Sequence, residues 1–153
     1  MRSTLTLLAV LLFGCQTAPE VKKDLNILLL SLERTPCLGA CPVYSVEVLT
    51  DGTTAFKGLR HVKVTEPVEV KLEAATLQKL SALLNASEFA KWSDFTRTQV
   101  SDLPSVVLTY RGHTVRHSLG DDQAPAALIA FEDEVDVIIG TARWVNGTGA
   151  ETK

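Results

Sequence analysis

Cys37 and Cys41 are the residues of this chain whose type and spacing most directly invite chemistry. Two thiols four positions apart can bridge as a disulfide, ligate a soft metal, or cycle as a redox pair. A redox pair needs a thiolate of lowered pKa, held at a helix N-terminus or beside a cation. Arg34 supplies a nearby cation, but Val43-Tyr44-Ser45-Val46-Glu47-Val48 follows the pair and alternates as a strand, where a helix would be required. A structural disulfide is the simplest expectation for two neighbouring thiols in an oxidising compartment. The loop it closes is short, so chain entropy gives the bridge about 2 kcal/mol or less, and its use is to fix a local turn.

The remaining reactive groups fit structural roles. His61, His113 and His117 are the only histidines. On one strand, His113 and His117 would stand about 13 Å apart, too far to share a metal ion, and both read as surface or hairpin-end residues. Ser105 or Ser118 with His117 and Asp102 contains the residue types of a hydrolytic triad, without the Gly-x-Ser-x-Gly elbow that would present the nucleophile. Asp121-Asp122 and Glu132-Asp133-Glu134 suit a helix cap and the wet face of a helix. Asp102, in Asp102-Leu103-Pro104, suits a turn and is retained as a candidate binding residue with Arg34 and Tyr44.

Charge narrows the partners. The formal net charge is −3, with no basic run or basic pole, so nucleic acid has no electrostatic footprint here and anionic substrates gain no steering field. No motif calls for a cofactor, and none is expected.

The N-terminus carries an address. Arg2 precedes the apolar run Leu5 to Phe13, which ends in Gly14-Cys15. A membrane-spanning helix needs about 20 apolar residues, and this run stops after about half of that. The layout is that of a bacterial lipoprotein signal, with a plain secretory signal or an uncleaved apolar N-terminus as alternatives. The lipoprotein reading implies lipid on Cys15, cleavage after Gly14 and a tether over residues 15–24. The first fourteen residues are then removed, which takes Arg2 away and leaves a charge of −4. The third cysteine is consumed by lipid, and Cys37 and Cys41 close as one pair. Gln16 is not the aspartate that holds many lipoproteins at the inner membrane, so the expected location is the cell envelope, periplasm-facing, with the outer membrane favoured. The expected partners are the membrane, through Cys15, and an envelope protein.

The elements that must position these groups are legible as periodicity. One domain is expected over residues 25–145, with a frayed tail over 146–153. Asn26 to Arg34 reads as a central strand covered on much of both sides, with Leu28, Leu30 and Leu32 on one face and Ile27, Leu29 and Ser31 on the other. Val43 to Leu49 is the next strand, turning at Thr50-Asp51-Gly52. A three-residue loop pairs Val46 with Phe56 and Val48 with Thr54, keeping apolar with apolar. Leu59 to Val64 and Val68 to Leu72 continue as strands around Glu66-Pro67, where proline favours an edge or a corner. Leu77, Leu80, Leu83 and Leu84 recur at helical spacing from Glu73 to about Asn85, without a good N-terminal cap.

Residues 86–102 read as an irregular stretch anchored by Phe89, Trp92 and Phe95. A second hairpin over Ser105 to Leu119 turns at Arg111-Gly112 and pairs Leu108 with Val115. Asp121 or Asp122 can cap a final helix, with Pro125 in its first turn and a stripe of Leu128, Phe131, Val135 and Ile138 ending at Gly140, while Glu132, Asp133 and Asp136 face water. This order predicts an α+β fold: a mainly antiparallel sheet of about six strands with two helices packed on one face.

The run Glu33-Arg34-Thr35-Pro36-Cys37-Leu38-Gly39-Ala40-Cys41-Pro42-Val43-Tyr44-Ser45-Val46, with Asp51-Gly52-Thr53, Ser101-Asp102-Leu103-Pro104 and Thr141-Ala142-Arg143-Trp144, resembles the bacterial family of domain of unknown function 6438. The resemblance covers about Asn26 to Val145 and rests on Thr-Pro-Cys-x-x-x-Cys-Pro-x-Tyr. It implies a small exported domain, often lipid-anchored, with no assigned reaction. In spacing alone, Cys37-x-x-x-Cys41-Pro42 is also similar to the copper site of Sco-type assembly proteins, where a helix follows the motif. The functional expectation is a non-catalytic binding or structural domain, with thiol-redox or copper handling at Cys37 and Cys41 as the alternative.

Overall fold

The computed structural model describes residues 26–96 and 102–147. Six strands, β1 Leu28–Arg34, β2 Val43–Leu49, β3 Thr53–Arg60, β4 Val68–Lys71, β5 Ser105–Tyr110 and β6 His113–Ser118, form one antiparallel sheet in the order β4-β3-β2-β1-β5-β6. Helices α1 Ala74–Ala86 and α2 Ala126–Ile139 supply Leu80, Leu84, Leu128, Phe131, Val135 and Ile139 to the core on one face of the sheet. Among the described residues, no helix covers the other face. This is the α+β architecture expected from the sequence, with a further short helix α3, Ala142–Val145, and a 3₁₀ turn, Phe89–Lys91, that periodicity did not reveal.

β1 is central, paired with β2 on one side and β5 on the other. Leu30 and Leu32 are fully buried beneath the helices, but Leu29 and Ser31 on the opposite face are only half-covered. The central position is as expected, while the cover expected on much of both sides is complete on the helix face and partial on the other, because both long helices lie on the same face. Leu28 leaves the core-facing row at a register shift between Leu28 and Leu30. The first hairpin has the three-residue register, Val46 opposite Phe56 and Val48 opposite Thr54. Gly52 makes it possible with φ of +87°, a left-handed conformation that costs glycine little. Asp51 completes the turn by accepting the Thr53 N–H and hydroxyl, each at 2.9 Å, and the Lys71 ammonium at 3.0 Å. The Thr53 amide first, then Lys71, bring its carboxyl down to about 2.

Strand β3 ends at Arg60, earlier than its alternation suggested. His61 turns the chain with φ of +53°, and the amides of Lys63 and Val64 donate to the carbonyls of Val145 and Trp144, both at 3.0 Å. These residues strap α3 and are not part of the sheet. Gly58 permits the strap, since a Cβ there would come 2.0 Å from the Val64 carbonyl oxygen. Pro67 then precedes β4, an edge strand as expected.

Phe89 is buried among Trp92, Tyr110, His113 and Phe131, with ring centroids 5.6 to 6.0 Å away. Phe95 pairs beside His117, covering part of the β6 edge. Before α2, Asp121 accepts the Gln123 N–H at 2.9 Å. It closes a turn, and Pro125, which has no capping side chain, stands at the helix start, so the aspartate cap expected for α2 is not formed. Gly140, φ +75°, ends α2 as predicted.

Candidate functional site

The β1 and β2 strands converge at one end of the sheet, where their register sets Arg34 opposite Tyr44. Both side chains lie on the helix-covered face and meet Asp136, from the last turn of α2. The Arg34 guanidinium donates to Asp136 Oδ2 from Nε at 2.9 Å and from Nη2 at 2.6 Å. Tyr44 donates its hydroxyl proton to Oδ1 at 2.8 Å, and Thr141 donates to the same oxygen at 2.7 Å. Arg34 Nε also reaches the Tyr44 oxygen at 3.1 Å. Asp133, more exposed, stands 3.8 Å from Arg34.

Burial, together with the Asp136 charge, raises the Tyr44 phenol well above its usual range. Burial pulls the Arg34 guanidinium down, but Asp136 and Tyr44 outweigh it, so Arg34 is held above its ordinary value and stays charged. The network borders a cleft of about 280 Å³ lined by Arg34, Pro42, Tyr44, Asp136, Val145 and Asn146. Asp136, expected to face water, is thus the acceptor that binds α2 to the two central strands.

The loop joining β1 to β2 stands at the same end. Cys37 and Cys41 are disulfide-bonded, with Cα atoms 5.9 Å apart. The Gly39 N–H donates to Cys37 Sγ at 3.2 Å. Leu38, at the loop tip, is 84 % exposed, the most exposed large apolar side chain among the described residues. Thr35 fastens the loop base to β5: its N–H donates to the Ser105 carbonyl at 2.9 Å, and its hydroxyl accepts the Ser105 N–H at 2.7 Å. Of the candidate binding residues, Arg34 and Tyr44 come together. Asp102 lies exposed in the turn before β5 and is not a partner of either. Cys15 lies outside the described residues.

A second polar cluster went unrecognised in the sequence. His117 on β6 and Glu132 on α2 are both buried, with His117 Nδ1 at 3.0 and 2.9 Å from the two Glu132 carboxylate oxygens. His117 is therefore not a surface residue, and Glu132 is not on the wet face. The signal was present: Glu132 lies four residues after Leu128 and three before Val135, on the buried stripe itself. Burial raises the Glu132 carboxyl, while the His117 contact opposes the rise. His117 Nε2 is buried and has no hydrogen-bond partner among the described residues.

The hydrolytic arrangement does not assemble. Ser105 and Ser118 face each other, hydroxyl to hydroxyl at 3.2 Å, on the sheet face opposite that of His117. His113 stands at the hairpin end, the first residue of β6 after the Arg111-Gly112 turn, but it is half-buried, with Nε2 2.8 Å from the Trp92 carbonyl oxygen. Among the described residues, no group of three or more His, Cys, Asp and Glu side chains is placed to hold a metal ion.

No curated protein and no solved structure matches the chain. A family model does, over residues 28–139, from the first residue of β1 to the last of α2. The match contains the disulfide loop, Arg34, Tyr44, Asp136 and the His117–Glu132 pair, and it ends before the Thr141-Ala142-Arg143-Trp144 segment. With most of its length so matched, the chain belongs to the family described as Domain of unknown function (DUF6438).

Proposed function

We propose that this chain is an exported, lipid-anchored domain of the bacterial cell envelope that docks a partner protein through the pole carrying the Cys37–Cys41 loop. The observation that carries the docking reading is Leu38, held 84 % exposed at the tip of a covalently closed loop. An apolar side chain fixed in water by a short bridge loses little conformational entropy when it is covered, so a partner gains its burial at low ordering cost. Thr35, bonded to β5, holds the loop base still.

Arg34, Tyr44 and Asp136 commit their polar atoms to one another, which suits a rigid docking wall better than acid–base turnover. The anchoring half of the reading rests on Gly14-Cys15 after a short apolar run and on the fit of a disulfide to an oxidising compartment. Gln16 favours the outer membrane, with the domain facing the periplasm.

Two measurements test it. Intact mass of the protein from membranes should show lipid on a chain beginning at Cys15, and Cys15→Ala should leave the signal uncleaved at Gly14. A photo-crosslinking side chain at position 38 should give a discrete adduct in the native envelope that the same group at Glu69, on the open sheet face, does not. Equal labelling at both positions removes the docking reading.

The Gly39 N–H on Cys37 Sγ favours a second reading, because the same bond would stabilise a Cys37 thiolate after reduction. In that case, Cys37 and Cys41 act as a thiol or copper-handling pair. Alkylation before mass measurement separates the two: unmodified cysteines favour docking, and free thiols that bind copper favour the alternative.

A further inference from the structure

The two edges of the sheet differ. On β6, the outward backbone groups of Arg116 and Ser118 are taken: the Arg116 N–H donates to Asp94 Oδ1 at 2.8 Å, the Phe95 N–H donates to the Arg116 carbonyl at 2.8 Å, and the Ser118 N–H donates to the Phe95 carbonyl at 2.9 Å. On β4, the Leu72 N–H donates to the Gly52 carbonyl at 2.9 Å, which turns the backbone groups of Leu72, Val70 and Val68 toward β3 and those of Glu69 and Lys71 away from it. Among the described residues no strand lies beyond β4, so Glu69 and Lys71 present an open edge. Their side chains stand exposed on the sheet face without helices, while Val68 and Val70 are half-buried on the other.

An open edge is a template for another extended chain, and charge decides which one fits. When two copies pair antiparallel about a two-fold axis at Val70, Glu69 of each stands opposite Lys71 of the other. Both cross-strand pairs are then of opposite charge, and the outward N–H and C=O groups of these residues find partners. Val70 meets Val70 of the second copy, and Val68 meets its Leu72, on the helix side. Moving the axis by one residue fails in both directions. At Glu69 it opposes two carboxylates and sets Lys71 against Pro67, which has no N–H. At Lys71 it opposes two ammonium groups and sets Glu69 against Glu73. Lys71 also donates to Asp51 of its own chain at 3.0 Å, and an ammonium has donors for both carboxylates.

We infer that this chain forms a closed homodimer through β4, in the register centred on Val70. The surface is self-complementary, as a two-fold interface requires, and with β6 capped by Asp94 and Phe95 the pair does not grow into a fibre. The contact is separate from the disulfide loop. A photo-crosslinking group at position 69 therefore gives this homodimer, of twice the chain mass, and not the adduct expected at position 38.

The test uses the protein as its host makes it, purified, carrying Val70→Cys and treated with a thiol oxidant. Residues opposed in a non-hydrogen-bonded pair have Cα atoms about 4.5 Å apart, within reach of a disulfide. Val70→Cys should trap a species of twice the chain mass, and Thr114→Cys, on the capped edge, should not. Adding Glu69→Lys, or Lys71→Glu, to Val70→Cys makes both cross-strand pairs like-charged and should lower trapping about tenfold. Mixing these two charge variants should restore it between them, because each brings the charge that the other lacks; this also shows that both are folded. Trapping no greater at position 70 than at position 114 overturns the dimer. Equal trapping in wild-type background, in either charge variant alone and in the mixture overturns the register, and with it the charge complementarity that selects a second copy.

Discussion

Tyr44 and Asp136 are 92 positions apart in the chain, yet the phenol donates to the carboxylate at 2.8 Å, and the same carboxylate holds Arg34. One acidic side chain thereby ties the last turn of α2 to the two central strands at the pole where the disulfide loop emerges. Its side chain is only 15 % exposed and that of Arg34 21 %, so the pair is largely shielded from solvent.

Removing Asp136 should therefore cost more than a surface ion pair. Asp136→Ala leaves the guanidinium without its counter-charge and two hydroxyl donors without their acceptor. A loss of about 2 to 4 kcal/mol is expected in urea unfolding, whereas Asp133→Ala, which removes a longer and exposed contact, should stay within about 0.5 kcal/mol. Equal effects of the two substitutions would show that the network adds nothing to the packing of α2.

Phe131 is expected to be indispensable to the core. It is buried, with its ring centroid 5.7 Å from Phe89 and 5.4 Å from Trp92, so it joins α2 to the irregular stretch after α1. Phe131→Ala should cost about 3 to 5 kcal/mol, a large part of the roughly 5 to 15 kcal/mol that holds a domain folded. A thermal melt unchanged from wild type would mean that α2 does not belong to the cooperative unit.

Glu132 gives stability a dependence on pH. Burial raises its folded pKa above the ordinary carboxyl value of 4.5, so its neutral form is the one that folding favours. Its contribution is complete below that value and is lost as pH rises through the higher folded pKa. Wild type should therefore lose stability relative to Glu132→Gln as pH rises from about 4.5 through the raised folded pKa. A constant difference between the two across that range would contradict the shift.

Asp51 acts in the opposite sense. Its folded pKa of about 2 lies below the ordinary 3.8, so its contribution is present above 3.8 and is lost as pH falls toward 2. Carboxyl titration followed by NMR should find Asp51 ionised at pH 3, and Asp51→Asn should lose the acid-side dependence of the hairpin.

The Cys37–Cys41 bridge should contribute modestly. Replacing both residues by serine should lower stability by about 2 kcal/mol, the chain-entropy value for so short a loop, without changing the sheet. A full loss of folding would instead make the bridge a condition of the β1–β2 pairing.

Local pattern determined much of this protein. Alternation placed β1 at the centre and fixed the register of both hairpins, because a slip of one residue would turn Val46, Val48 and Leu108 to the wrong face. Helical spacing found α1 and α2, and Gly140 marked the end of α2. The proximity of Cys37 and Cys41 in sequence made their pairing legible, and Arg34 and Tyr44 followed from their places beside that loop.

Tertiary structure alone decided which polar groups meet. Asp136 carries no local mark that separates it from the exposed Asp133, and the helical spacing that sets Glu132 on the buried stripe does not name its partner, because a carboxylate's environment is set by what packs over it. Here Arg34 and Tyr44 arrive from strands far away in the chain, and His117 from the strand just before α2. The same holds for the strap at Lys63 and Val64, which bonds to α3 some eighty residues later. Hydrophobic period reports the face a residue is offered to; only the assembled sheet and helices determine whether a partner is waiting there.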